Sequence, residues 1–169
     1  MKEIGGYFGL ELSSGDHFHS MALRVNSGRG ALEYIVKARD IKKLHMPFFT
    51  CSAIRERLSK LSVEIQPYYI NDALEFEVEC FDESDAIIYT NYFGLKDEFV
   101  KLISTKFNRL IIDNSQAFFA KPIVGVDTFY SPRKFFGVPD GGYLVTDKFL
   151  SGVMERDLSS LRAGHLLER

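Results

Sequence analysis

Apolar positions along this chain of 169 residues repeat with two different periods. Leu32, Ile35 and Val36 fall at i, i+3 and i+4 within residues 30–39, which predicts a helix with one buried stripe, and Ser27-Gly28 just ahead supplies a start signal. Ile54, Leu58 and Leu61 form a second stripe, with Arg55, Glu56, Arg57 and Lys60 on the outer face, and Leu95, Phe99, Leu102 and Ile103 form a third. Between them lie apolar runs at 43–46, 86–89, 110–112, 126–130 and 143–145, too short for helices and rich in β-branched or aromatic residues, which read as buried strands. Strands and helices therefore alternate. The expected class is α/β, a three-layer helix/sheet/helix arrangement on a mostly parallel mixed sheet, with ligands gathering at the carboxyl ends of the strands. Leu74, Phe76, Val78 and Cys80 alternate with Glu75, Glu77 and Glu79, which predicts a half-exposed edge strand paired with residues 63–69 across an Asn71-Asp72 turn. A last helix is expected from Lys148 onward.

Charge and composition narrow the partners. Lys and Arg number 21 against 23 Asp and Glu, a formal net charge of −2 with no long run of either sign, so neither nucleic acid nor an anionic membrane is an expected partner. With 46% hydrophobic residues the chain should bury one core, and residues 1–169 are read as a single domain. Residues 1–12 carry Glu3 and Glu11 without the apolar core of a signal peptide, and no stretch approaches the roughly 20 apolar residues of a membrane span, so the expected location is the cytoplasm. Cys51 and Cys80 stand outside any CxxC pattern and are read as reduced thiols rather than zinc ligands or a disulfide.

Three segments could carry chemistry. Asp113 ends the predicted 110–112 strand, and a carboxylate there either caps local amides in a turn or meets a cation that folding brings to it. Lys134 lies in Ser131-Pro132-Arg133-Lys134-Phe135-Phe136-Gly137, ahead of a Gly-rich turn. The two phenylalanines would favour a neutral amine able to form an imine, whereas a surface lysine that merely snorkels is the plainer reading. Ser27-Gly28-Arg29-Gly30 opens the first helix, where unpaired N–H groups and the positive end of the helix dipole suit a phosphate as well as an ordinary cap.

Taken in chain order, as a phosphate turn, a strand-end Asp with a Gln three residues later, and a Lys before a Gly-Gly strand, the three segments resemble the fold type I pyridoxal-phosphate (PLP) enzymes, and most closely the DegT/StrS-type sugar aminotransferases. Residues 27–32 are similar to the family's phosphate turn, 46–50 to its Pro-x-x-Thr segment, 90–94 to a strand-end turn closing on Gly, 111–117 to its Asp-x-x-Gln-Ala stretch, and 134–146 to its lysine loop and Gly-Gly strand. The resemblance implies a PLP-dependent transferase large domain, without the smaller carboxyl-terminal domain that family members carry. It implies that Lys134 holds the cofactor covalently and moves protons, that Asp113 keeps the pyridine nitrogen protonated, and that Gln116 bonds the ring's 3-oxygen with Asn91 nearby. Ser27, Gly28 and Arg29 would cradle the phosphate. The implied reaction moves an amino group from glutamate or glutamine to a nucleotide-linked keto-sugar, in a homodimer; a lysine at position 134, where the dehydratase branch carries His, favours amino transfer.

Two positions depart from the pattern. Phe129 stands where the family places a phosphate-binding serine, leaving Thr128 or Ser131 as substitutes, and Cys51 stands where an aromatic residue stacks on the ring, leaving Phe48 or Phe49. The alternative from another class is a truncated or degenerate relative that binds or dimerises without turnover. Ser131-x-x-Lys134 with Tyr89-Thr90-Asn91 also echoes penicillin-binding enzymes, but in reversed order and with no K-T-G. His17-x-His19 lacks a third ligand and reads as two exposed histidines.

Overall fold

A computed structural model describes residues 15–151 and 157–158. Helix α1 (Gly28–Ala38) begins where expected: Ser27 is extended at φ −168° and its Oγ accepts the Gly30 N–H at 3.1 Å, closing the first turn. Helix α2 (Ser52–Ser59) presents Leu58 to the core, and α3 (Asp97–Ser104) presents Phe99, Val100 and Ile103. The α3 stripe keeps Phe99 and Ile103 of the expected set and adds Val100 in place of Leu95 and Leu102. Leu95 precedes the helix and is exposed, and Leu102 is half exposed.

Strands β1 (Leu23–Val25), β2 (Lys43–Pro47), β3 (Glu64–Tyr68), β4 (Ala86–Thr90), β5 (Arg109–Asp113), β6 (Asp127–Tyr130) and β7 (Gly142–Val145) form one sheet in the order β1-β7-β6-β5-β4-β2-β3. Strands β2 to β6 pair in parallel, while β7 pairs antiparallel with both β6 and β1. Alternation of side chains sends Leu44, Met46, Ile88, Ile111, Phe129 and Leu144 to the α1 and α2 face. Ile87, Tyr89, Leu110 and Ile112 go to the α3 face, where they meet an aromatic core of Tyr68, Phe76, Phe99 and Phe107. This is the expected three-layer fold. Arg39, capping α1, makes two 2.9 Å hydrogen bonds to the buried Asp127 carboxylate at the start of β6, which fixes the helix along the sheet.

The predicted edge hairpin does not form. Residues 74–80 hold a turn and one turn of 3-10 helix, and among the described residues β3 pairs only with β2 and is itself the edge. The reason is local. The Asn71 N–H donates to Glu75 O at 2.8 Å while Asn71 Oδ1 accepts the Glu75 N–H at 3.1 Å, and Leu74 sits at φ 62°, so the chain closes a tight loop. Only Phe76 of the alternating set is buried, within the aromatic core, and Glu75 pairs with Lys96. Strand β1 went unpredicted, being only three residues long with none of them fully buried. Residues 148–151 are not helical, and the rest of the helix expected from Lys148, like residues 1–12, lies outside the described residues except for 157–158.

Candidate functional site

Register places Thr90, Asp113 and Phe129 side by side near the carboxyl ends of β4, β5 and β6. The amino terminus of α1 faces them, and a cleft of about 160 Å³ opens between. Its wall includes Ser27, Gly28 and Arg29 from α1, Asp113 and Gln116 from the β5 end, and Ser131 and Lys134 from the loop after β6. Asn91 is not on that wall. Its Nδ2 donates to Asp97 Oδ1 at 2.7 Å and its Oδ1 accepts the Lys96 N–H at 3.0 Å, so its side chain caps α3, and Thr90 is the residue of that turn lining the cleft.

Asp113 is buried, and its Oδ1 accepts the Ser115 N–H at 2.8 Å. Burial pushes its carboxyl above the ordinary carboxylate range, against the opposing pull of Ser115 and of the Lys134 charge. Of the two sequence alternatives the local cap is present, and Lys134 lies on the wall of the same cleft. Lys134 sits on one turn of 3-10 helix (Pro132–Lys134) and is exposed. The rings of Phe135 and Phe136 do not enclose it; they pack on Phe118 and Phe119.

Close backbone approach shapes the cradle. A Cβ on Gly142 would lie 2.7 Å from the Ser27 carbonyl carbon, so β7 can pass beneath the start of α1 only as glycine. A Cβ on Gly28 would come within 3.3 Å of the Phe129 ring and 3.4 Å of Ser115 Oγ. Gln116 Oε1 accepts the amide of Phe93 at 3.0 Å, holding a non-glycine residue in the left-handed region at φ 56°. Of the two substitute hydroxyls, Ser131 lines the cleft, whereas buried Thr128 donates back to Val126 O at 3.2 Å. Of the two candidate aromatics, Phe49 lines it, fixed by Tyr92, whose ring stacks at 5.6 Å and whose hydroxyl donates to Phe49 O at 2.8 Å. Phe48 turns away to Tyr69, with the Arg55 guanidinium over its ring. Sequence reasoning missed Thr50, Thr90, Ser115 and Arg133, all on the wall. The position of each at or just beyond the end of a strand, or beside the lysine, was the available signal.

Comparison with solved structures places the fold. The chain matches the sugar aminotransferase CalS13 from Micromonospora echinospora with a TM-score of 0.60 at 15% identity, over 75% of this chain and 42% of that one. It matches a DegT DnrJ EryC1 StrS aminotransferase from Brucella abortus with a TM-score of 0.53 at 19% identity, over 75% and 42%. The chain has the fold of these aminotransferases. A phosphoserine aminotransferase from Cytophaga hutchinsonii ATCC 33406 matches as well, with a TM-score of 0.57 at 18% identity over 75% and 40%, so the aminotransferase fold is shared by enzymes of different substrates. This chain spans less than half the length of each of these three neighbours. No family model and no curated protein matches the sequence. Among the described residues no helix is long and apolar enough to cross a membrane, and Cys51 and Cys80 are free and exposed.

Proposed function

We propose that this chain is the cofactor-binding portion of a PLP-dependent aminotransferase of the DegT/StrS kind, moving an amino group from glutamate or glutamine to a nucleotide-linked keto-sugar. The observation that carries the reading is the convergence of buried Asp113 and Lys134 in one cleft under the amino terminus of α1. The donor set fits the cofactor: a carboxylate held above its usual pKa is stabilised when a cationic ring nitrogen arrives, and glycine at 28 and 142 keeps the helix terminus open to an anion.

When bound, PLP supplies an electron sink for bonds broken at the amino-bearing carbon. The chain's own residues position and protonate. The first N–H groups of α1, with Ser27, Arg29 and Ser131, would hold the phosphate, and Phe49 would cover a ring face. The Asp113 carboxylate would keep the proton on the ring nitrogen, Gln116 would donate from Nε2 to the ring's 3-oxygen, and Lys134 Nζ would bond the cofactor and then carry a proton to and from the substrate. A second groove of about 500 Å³ shares Ser27, Arg29 and Arg133 with the cleft and adds Arg57 and Lys60 against Glu56 and Asp140, a net positive wall that supports a substrate bearing negative charge. Exposed Phe18, Phe93, Leu95 and Phe119 support a homodimer, and two free exposed thiols support a reducing cytoplasm.

The exposure of Lys134 favours a second reading, in which the chain binds the cofactor or a partner without turnover. One experiment separates the two. Purified chain incubated with PLP and reduced with borohydride should carry an adduct on Lys134, found by peptide mass, and Lys134→Ala should carry none. The absence of an adduct on the unmodified chain leaves the non-catalytic reading.

A further inference from the structure

The proposed chemistry does not use the His17-x-His19 pair, and no group of three ligating side chains occurs among the described residues. His17 is exposed as expected: Arg24 donates to its Nε2 at 3.1 Å, and its Nδ1 lies 2.7 Å from Tyr143 Oη. His19, against expectation, is buried. Its Nε2 lies 2.8 Å from Phe118 O, and because a carbonyl only accepts, that nitrogen carries the hydrogen. The imidazole lies on the Tyr130 ring, with centroids 3.8 Å apart and planes at 27°, and meets Phe118 edge-on at 5.0 Å. Burial holds its pKa below the ordinary histidine value, against the opposing pull of the Phe118 carbonyl.

Phe118 connects this histidine to the lysine loop. Its ring lies 4.9 Å from Phe136 and 5.8 Å from Phe135, the two residues that follow Lys134. Around the lysine the backbone bonds are local: the amides of Lys134, Phe135 and Phe136 reach Ser131 O and Pro132 O, at 2.9 to 3.3 Å. Such bonds shape the turn but do not fix it against the sheet. The Gly141 amide, donating to Asn26 O at 2.8 Å, ties the far end of the loop, and the rings of Phe135 and Phe136 tie the turn to Phe118, whose carbonyl accepts the His19 N–H.

We propose that His19 is a positioning residue: through Phe118 it fixes Phe135 and Phe136 and thereby sets where the Lys134 amine stands relative to Asp113. The role rests on Lys134 being the residue that bonds the cofactor, while the link from His19 to the loop does not depend on any ligand.

The test uses hydrogen exchange on the full chain without cofactor, followed by PLP trapping. His19→Phe keeps a ring and leaves Phe118 O without its donor. The amides of residues 134–136 should then exchange about tenfold faster, the effect of one lost buried hydrogen bond, while those of α1 and β4 keep their rates. Borohydride-trapped adduct on Lys134 at limiting PLP should fall by a similar factor, and His19→Gln, which retains an N–H donor, should recover part of both. If His19→Phe does not fold, the unmodified chain decides. The Ala22 amide, bonded to His19 O at 3.0 Å, should open together with those of Phe135 and Phe136. Unchanged exchange at 134–136 in folded His19→Phe, acceleration spread evenly over the sheet, or independent opening of Ala22 and Phe136 overturns the proposal. Faster exchange in the variant with no adduct on the unmodified chain upholds the link to the loop and sinks the cofactor reading instead.

Discussion

At one end of the cleft Asp113 is buried on a strand paired on both sides, and Gly142 lies against the Ser27 backbone. At the other end Lys134 is exposed on one turn of 3-10 helix, held in place through aromatic rings on its neighbours. The first end belongs to the folding core, so changing it alters stability and binding together. The second is attached to the core, so its chemistry can be removed with the fold intact. A cleft built this way can lose turnover and keep its shape, which is why activity has to be tested at the lysine and binding at the cradle.

The sharpest way to break this contrast is Lys134→Ala. It should abolish the borohydride-trapped adduct entirely while shifting urea-unfolding stability by no more than about 0.5 kcal/mol, as for other exposed sites. A large loss of stability would place the lysine in the core and erase the distinction. Next in size is Gly142→Ala, whose new methyl meets main chain rather than a flexible side chain; it should destabilise by about 3 kcal/mol in the same assay and weaken PLP retention as α1 is displaced.

Asp113→Asn probes the buried end by charge alone. The folded chain holds the Asp113 proton to a higher pH than the unfolded chain does, so the stability this group contributes is full below the ordinary carboxylate pKa and is lost as pH rises through the raised folded value. Cofactor-free Asp113→Asn should lack that decline, and its PLP affinity should fall about tenfold, the scale of one charge-assisted hydrogen bond. A pH profile of unfolding identical to that of the unmodified chain would remove the buried charge from the account. The smallest effect separates two adjacent rings: Phe49→Ala should weaken PLP binding about fivefold, the scale of one stacking contact, and Phe48→Ala should leave it within about twofold. Equal losses would mean that the cleft is lined differently.

Much of the fold was legible because its signals are local. Ser27 caps α1 through its own Oγ, and the runs that became β4 and β5 are apolar because both faces of a central strand are covered. The false edge strand shows where such a signal fails. Alternation at 74–80 met the same hydrophobic count as a strand, but the Asn71 loop and the burial of Phe76 alone decided against it. In the site, Asp113, Gln116 and Lys134 could be singled out by residue type and order. Whether Phe48 or Phe49, Thr128 or Ser131, would face the cleft could not, because neighbouring residues differ there only in the direction a turn sends them.

What the amino-acid order alone determined is the three helices, the central strands, the α/β class and the acid, amine and glycines on which the proposed chemistry depends, since each follows from periodicity, capping or side-chain type. Tertiary structure alone decided the rest. It set the strand order, the meeting of positions 113 and 134, the diversion of Asn91 to cap a helix, and the burial of His19 against a carbonyl 99 residues away. These are contacts between segments distant along the chain, and they form only because packing two apolar faces of one sheet leaves a single arrangement in which the covering layers also satisfy their polar groups.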